Sequence, residues 1–175
     1  MTPDQVTFTS AGGGADRFRA LMAGIVKSTA TASEFEPEAA KHGLNVLARA
    51  HEVTPHFARN CIVTTQAVID KKGDQLARFL AATMDGTAYA LSHRDQTLAL
   101  TRKVANLEEG DPAPAFMFDD AVRLKALNPT LPLPMDSFAW FGDMLLRNGV
   151  IDAPFDPERF VDRAPREAAL GLRKP

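Results

Sequence analysis

The stretch KKGDQLARFLAATMDGTAYALSH, residues 71–93, constrains the fold more than any other. Leu76, Phe79, Leu80, Thr83, Met84, Thr87 and Leu91 recur at helical spacing and share one face, which predicts a single long amphipathic helix. Helices are also predicted over about 95–106 and over 112–126, the latter with Pro112 and Pro114 near its start. The run NPTLPLPM (128–135) carries three prolines, which neither a helix interior nor a central strand accepts, so it reads as an irregular connection. DSFAWFGDMLLRNG (136–149) reads as a helix with Phe138, Phe141, Leu145 and Trp140 inward and Gly149 as its stop. Residues 150–162 read as a short extended piece with a turn, and the polar last dozen residues are expected to fray.

Before residue 70 the periodicity changes. QVTFTSA (5–11) alternates Val6 and Phe8 with Thr7 and Thr9, the pattern of a strand. Three glycines break it, and Phe18, Leu21, Met22 and Ile25 then return at helical spacing, with Gly24 as a C-terminal stop. Further strands are read over 25–33, 44–50 and 60–69, the last being the most β-like run in the chain, and a short helix over 37–43 ends at Gly43. The expected class is therefore α/β, with more helix than strand and a switch from one lobe to another near residue 70.

Composition removes several function classes. The 175 residues carry 20 basic and 22 acidic side chains, a net charge of −2 that does not suit a nucleic-acid binder. One cysteine, Cys61, permits neither an internal disulfide nor a thiolate metal cage, and its place in a predicted strand makes it a buried, inert thiol. No apolar run reaches the length of a membrane span. The N-terminus lacks a basic segment followed by an apolar core, so no signal peptide is read and a cytoplasmic chain is implied if Met1 is the true start.

Catalytic and metal motifs are missing. His42, His51, His56 and His93 form no HExxH or HxH pattern, and there is no G-x-S-x-G elbow or phosphate-binding P-loop. The acidic neighbours Glu108–Glu109 and Asp119–Asp120 read as solvated helix faces. No catalytic residue, metal ligand or cofactor is assigned. What remains is TSAGGGADRFRALMAG (9–24), a strand, glycines and a helix start. That order gathers backbone N–H groups and the positive end of a helix dipole, and glycine lets a ligand approach closely. A carboxylate, sulfonate or phosphate would suit it. On the residues alone, a plain turn explains the glycines equally well. Asp16 would repel an anion unless it turns back to cap its own helix.

Several segments occur in a fixed order: VTFTSAGGGADRFRALMAGIVKSTATAS, AAKHGLNVLARAHE, CIVTTQAVIDKKGDQLARFLAATMDGTAYALSHRDQTLALT and WFGDMLLRNGVIDAPFDPERFVD. Together they resemble the C-terminal half of the solute-binding proteins of ABC importers, in the nitrate/sulfonate/taurine and thiamine-pyrimidine-precursor group. The resemblance runs over about residues 5–162. It rests on R-x-x-A-L-x-x-G (17–24), G-L-x-x-L (43–47) and L-x-x-F-L-x-A-x-x-x-G (76–86), with Lys27 standing where the group often has an acid. Lys27 is read as pointing to solvent.

The resemblance implies a type II periplasmic-binding fold, apparently incomplete. Residues 1–59 would belong to the second lobe, 60–162 would return to the first lobe as a strand and helices, and 163–175 would form a polar tail. It also implies a small organic solute, anionic in character, as ligand, ABC permease subunits as partners, and a periplasmic or extracytoplasmic location. Carried over by position, Ser10, Gly12, Gly13 and Gly14 would lie at the cleft edge, Thr31 and Ser33 would face it, and Thr64 and Thr65 would lie near the hinge. Two alternatives stand beside the binding protein: an enzyme like the thiamine-pyrimidine synthases, and a truncated remnant that binds nothing.

Overall fold

The computed structural model describes residues 2–57 and 60–173. The expected lobe boundary at residue 59 and the tail end at 174–175 lie outside the described residues. The regular elements are helical: α1 (Gly14–Met22), α2 (Glu36–Lys41), α3 (Ala50–Val53), α4 (Gln66–Ser92), α5 (Arg94–Ala105), α6 (Ala113–Arg123), α7 (Met135–Arg147) and α8 (Ala164–Leu172). Single 3-10 turns lie at Pro3–Gln5, Ser33–Phe35 and Pro157–Arg159.

The structure does not confirm the α/β expectation, because no strand forms among the described residues. The reason is visible in the hydrogen bonding. Residues 6–12, 45–48 and 60–64 make no backbone–backbone hydrogen bond to any described residue. A strand persists only within a ladder, so β-like sequence without a neighbour stays irregular. Its apolar side chains stay in water: Phe8 is 86% and Val63 85% exposed. In the run 25–33, the Ile25 and Val26 amides instead turn back to the Ala20 carbonyl and close α1. The end of the 60–69 run joins α4, whose helix is interrupted at Lys72 (φ −136°, ψ 26°) beside Gly73, a poor helix former. Cys61, expected to be buried, is exposed.

The helices stand close to where periodicity puts them, and Gly149 ends α7 by accepting a positive φ of 66° while the Val150 amide reaches back to the Leu145 carbonyl. The tail is the exception. It does not fray but forms α8, which packs along α4. Met84 and Ala169 are fully buried at this seam, with Leu80 and Ala81 beside them and Leu76, Leu131 and Leu170 around the edge. Two arginines secure it. Arg166 Nε donates to the Leu131 and Thr130 carbonyls at 2.8 and 3.0 Å. Arg173 Nε donates to Asp85 at 2.7 Å, and its Nη1 donates to the Pro129 carbonyl at 3.2 Å. The proline-rich connection is thus held by guanidinium groups rather than by a ladder.

Other joints are smaller. Arg94 grips Asp119 through two hydrogen bonds, 2.8 and 2.7 Å, and ties α5 to α6. That contact holds the Asp119 carboxyl below its ordinary pKa of 3.8. Phe18 stacks on Phe35 at 4.9 Å, and Phe57 meets the edge of Phe141 at 5.5 Å. On α7, Gly142 is buried because Phe155 lies on its backbone; a Cβ there would sit 2.6 Å from the Phe155 Cβ. The accessible surface is 12959 Å². A compact monomer of 175 residues exposes about 8,400 Å².

Two predictions follow from these contacts. Ala in place of Gly normally stabilises a helix by about 1 kcal/mol. Gly86→Ala, which meets nothing within 4 Å, is expected to raise the urea midpoint, whereas Gly142→Ala should lower stability by about 1–3 kcal/mol through overpacking. The second concerns pH. The folded pKa of Asp119 lies below the unfolded one, so its contribution is complete above the unfolded value and is lost as pH falls through the folded value. Asp119→Asn should lower the urea midpoint at neutral pH, and the parent and variant midpoints should converge in acid.

Candidate functional site

The glycine loop enters α1 with three different backbone states. Gly12 takes φ +77°, and a Cβ on it would lie 2.9 Å from Asp16 Oδ2, so both its conformation and its surroundings call for glycine. Gly13 is the N-cap of α1 with ordinary extended angles, φ −73° and ψ 179°. Gly14 opens the helix. Asp16 turns back: its Oδ2 accepts from the Gly13 amide at 3.3 Å, and its Oδ1 pairs with Arg19. The carboxylate is therefore engaged by its own helix end, as a capping residue would be. The amides of Gly14, Ala15 and Asp16 donate to no acceptor among the described residues. Arg17 Nε, one residue on, is shielded without a hydrogen-bond partner among them.

Of the residues singled out in the sequence, the structure joins two directly. The Thr31 hydroxyl donates to the Gly14 carbonyl at 3.3 Å. Ser33 follows on the turn Ser33–Phe35, whose Phe35 packs against Phe18 of α1 and lies 3.8 Å from a Cβ built on Gly14. Ser10 is exposed in the irregular chain before the loop. Thr65 is the N-cap residue of α4, Thr64 precedes it, and both are exposed with no hydrogen bond to the glycine loop. Lys27 is exposed.

A second feature was not legible in the sequence. An open cleft of about 320 Å³ is lined by Glu36, Arg49, His51, Glu52, Phe116, Asp120 and Arg123. Arg49 pairs with Glu36, with Glu52 at 4.0 Å, and Arg123 pairs with Asp120. The bond to Glu36 raises the Arg49 pKa above its already high value, so this cation is permanent. Three carboxylates, Glu36, Glu52 and Asp120, face two guanidinium groups, Arg49 and Arg123, so the cleft offers an anion no excess of positive charge. Beside it, Lys41 and His42 hold the Glu38 carboxyl below its ordinary pKa. Among the described residues, no group of three His, Cys, Asp or Glu side chains could hold a metal ion, and no helix is long and apolar enough to cross a membrane.

A family model described as NMT1/THI5 like matches residues 1–97. The chain belongs to that family. The NMT1/THI5-like family covers nitrate/sulfonate/taurine and thiamine-precursor binding proteins. It points to a small-molecule solute and to permease partners, and its members also include synthases. No curated protein and no solved structure matches the chain. The NMT1/THI5-like match takes in the whole glycine loop, Thr31, Ser33, Thr64 and Thr65, and ends within α5.

The loop geometry separates its glycines. Gly12→Ala should cost about 1–2 kcal/mol, the strain of a left-handed residue with a Cβ. Gly13→Ser should be neutral or stabilising by a few tenths of a kcal/mol, since serine is at least as good an N-cap. Chemical denaturation followed by circular dichroism measures both.

Proposed function

We propose that this chain takes part in binding a small organic anion, such as a sulfonate or carboxylate, for delivery to an ABC importer outside the cytoplasm. The carrying observation is the NMT1/THI5-like match across the glycine loop. The local geometry supports it: three amides at the positive end of α1 are open, and Asp16 is tied to Gly13 and Arg19. Thr31, bonded to the Gly14 carbonyl, braces the loop from the next segment. In this reading residues 1–59 form the solute-facing part, and residues 60–162 cross back to the other lobe of a type II periplasmic-binding fold.

A synthase-like enzyme is the second reading. The observation that favours it is His51, which lines the charged cleft with Glu52 and Asp120 and could there exchange a proton. The two readings use different residues.

Calorimetric titration with taurine, other alkanesulfonates, nitrate and an aminopyrimidine tests the first. Gly13→Val keeps an accessible backbone conformation while placing bulk over the open amides. It should weaken binding about tenfold or more, a loss of ~1.4 kcal/mol or greater, and His51→Ala should leave binding unchanged. Equal affinity in Gly13→Val would reduce the loop to a connection. Turnover of a pyrimidine precursor that vanishes in His51→Ala would favour the enzyme.

A further inference from the structure

Leu131 holds a backbone conformation that neither its type nor its neighbour favours. Its φ is +45°, in the left-handed region where a Cβ crowds the following carbonyl. It also precedes Pro132, and a proline favours extended backbone at the position before it. The other described non-glycine residues with positive φ, Asn106 and Lys125, lie where α5 and α6 end. There the left-handed turn closes the helix: the Leu107 amide reaches the Arg102 carbonyl and the Ala126 amide the Ala121 carbonyl. Leu131 ends no helix. What holds it is α8. Arg166 Nε donates to the Thr130 and Leu131 carbonyls, Arg173 Nη1 donates to the Pro129 carbonyl, and the Leu131 side chain packs against the Met84–Ala169 seam. In return α8 has little of its own. It is 9 residues long with Ala169 as its buried residue, and a free helix of that length is marginal in water.

We propose that α8 and the turn at residues 129–131 form a clasp, one two-state unit that opens and closes while α4 stays folded. Closing docks α8 on the Met84 face and forces Leu131 into the left-handed region. Opening melts α8, releases the carbonyls of Pro129, Thr130 and Leu131, and lets Leu131 return to extended backbone. The strain held in the closed state lowers the cost of opening. The turn lies in the connection from α6 to α7. The Ser33–Phe35 turn packs on α6, and α7 sets Trp140 beside His56 and Phe141 against Phe57. An open clasp therefore frees the spacing of the two helices that hold the first 65 residues. This inference is independent of the solute reading, and its test needs no solute.

Native-state hydrogen exchange of the full chain, followed residue by residue by NMR, tests it. The interior amides of α8 should exchange through one shared opening, about tenfold or more above the opening that exposes the Met84 amide on α4. Arg166→Gln should raise the α8 opening about tenfold or more. Position 131 tests the strain by sign. Leu131→Ala and Leu131→Gly both delete the packed side chain, and at an unstrained position glycine opens more, because it frees the open chain. Here the order should invert, with Leu131→Gly opening about fivefold less than Leu131→Ala. Ala169→Glu puts a carboxylate into the seam and should leave the clasp open. It should abolish α8 protection and red-shift the emission of Trp140, the only tryptophan, while the urea transition stays cooperative. Interior α8 amides that exchange no faster than the Met84 amide overturn the proposal. So does a Leu131→Gly chain that opens as much as Leu131→Ala or more. Loss of the cooperative transition in Ala169→Glu overturns it too, since α4 would then not stand without its cover, and an unshifted Trp140 emission overturns the link to α7.

Discussion

Met84 is the only large side chain fully shielded from water among the described residues, and α8 is what shields it. Burying such a side chain contributes about 1.5–3 kcal/mol. Ala169 makes the seam close, since a small residue lets the two helices approach. Arg166 and Arg173 then extend the seam beyond apolar contact, because each binds carbonyls of the proline-rich connection that no helix or strand could satisfy. From α4 the order passes outward: α5 follows it directly, and Arg94 carries α6 by its grip on Asp119.

The first 65 residues are attached more lightly. Of their described residues only Phe18 is buried, and what joins them to the rest is the Ser33–Phe35 turn against α6 and the aromatic contacts of His56 with Trp140 and of Phe57 with Phe141. Segments with few buried contacts open at low free energy, and binding loops are commonly drawn from them. The family match, which spans residues 1–97, therefore falls mostly on the loosely held part, and the tightly packed seam supplies the platform.

What could be read from the sequence divides along the same line. The helix faces of α4 and α7 are local patterns, and a helix satisfies its own backbone, so Leu80, Met84 and Phe141 are found where spacing puts them. The strands of residues 5–11 and 60–69 are not found, because a strand depends on a neighbour that local sequence does not name. The tail departs from its expected fraying for a different reason. Its arginines look like solvated charge, yet Arg166 and Arg173 are bound to carbonyls of Pro129, Thr130 and Leu131. The cleft gathers Glu36, Arg49 and Asp120 from three distant segments and left no trace in spacing. Within GGG, the dihedral angles and the Asp16 carboxylate packed beside it distinguish the glycine that must be one, Gly12, from its neighbour Gly13.

The seam also sets a timetable. Met84 and Ala169 lie 85 positions apart, and a ribosome adding about 5–20 residues per second needs about 4–17 s to cover that distance. During that interval α4 has left the exit tunnel with its apolar face open and its cover not yet made. Leu76, Leu80 and Met84 are then available to chaperones and to other nascent chains. For this protein the hazard of synthesis lies in the wait between the fourth helix and the eighth.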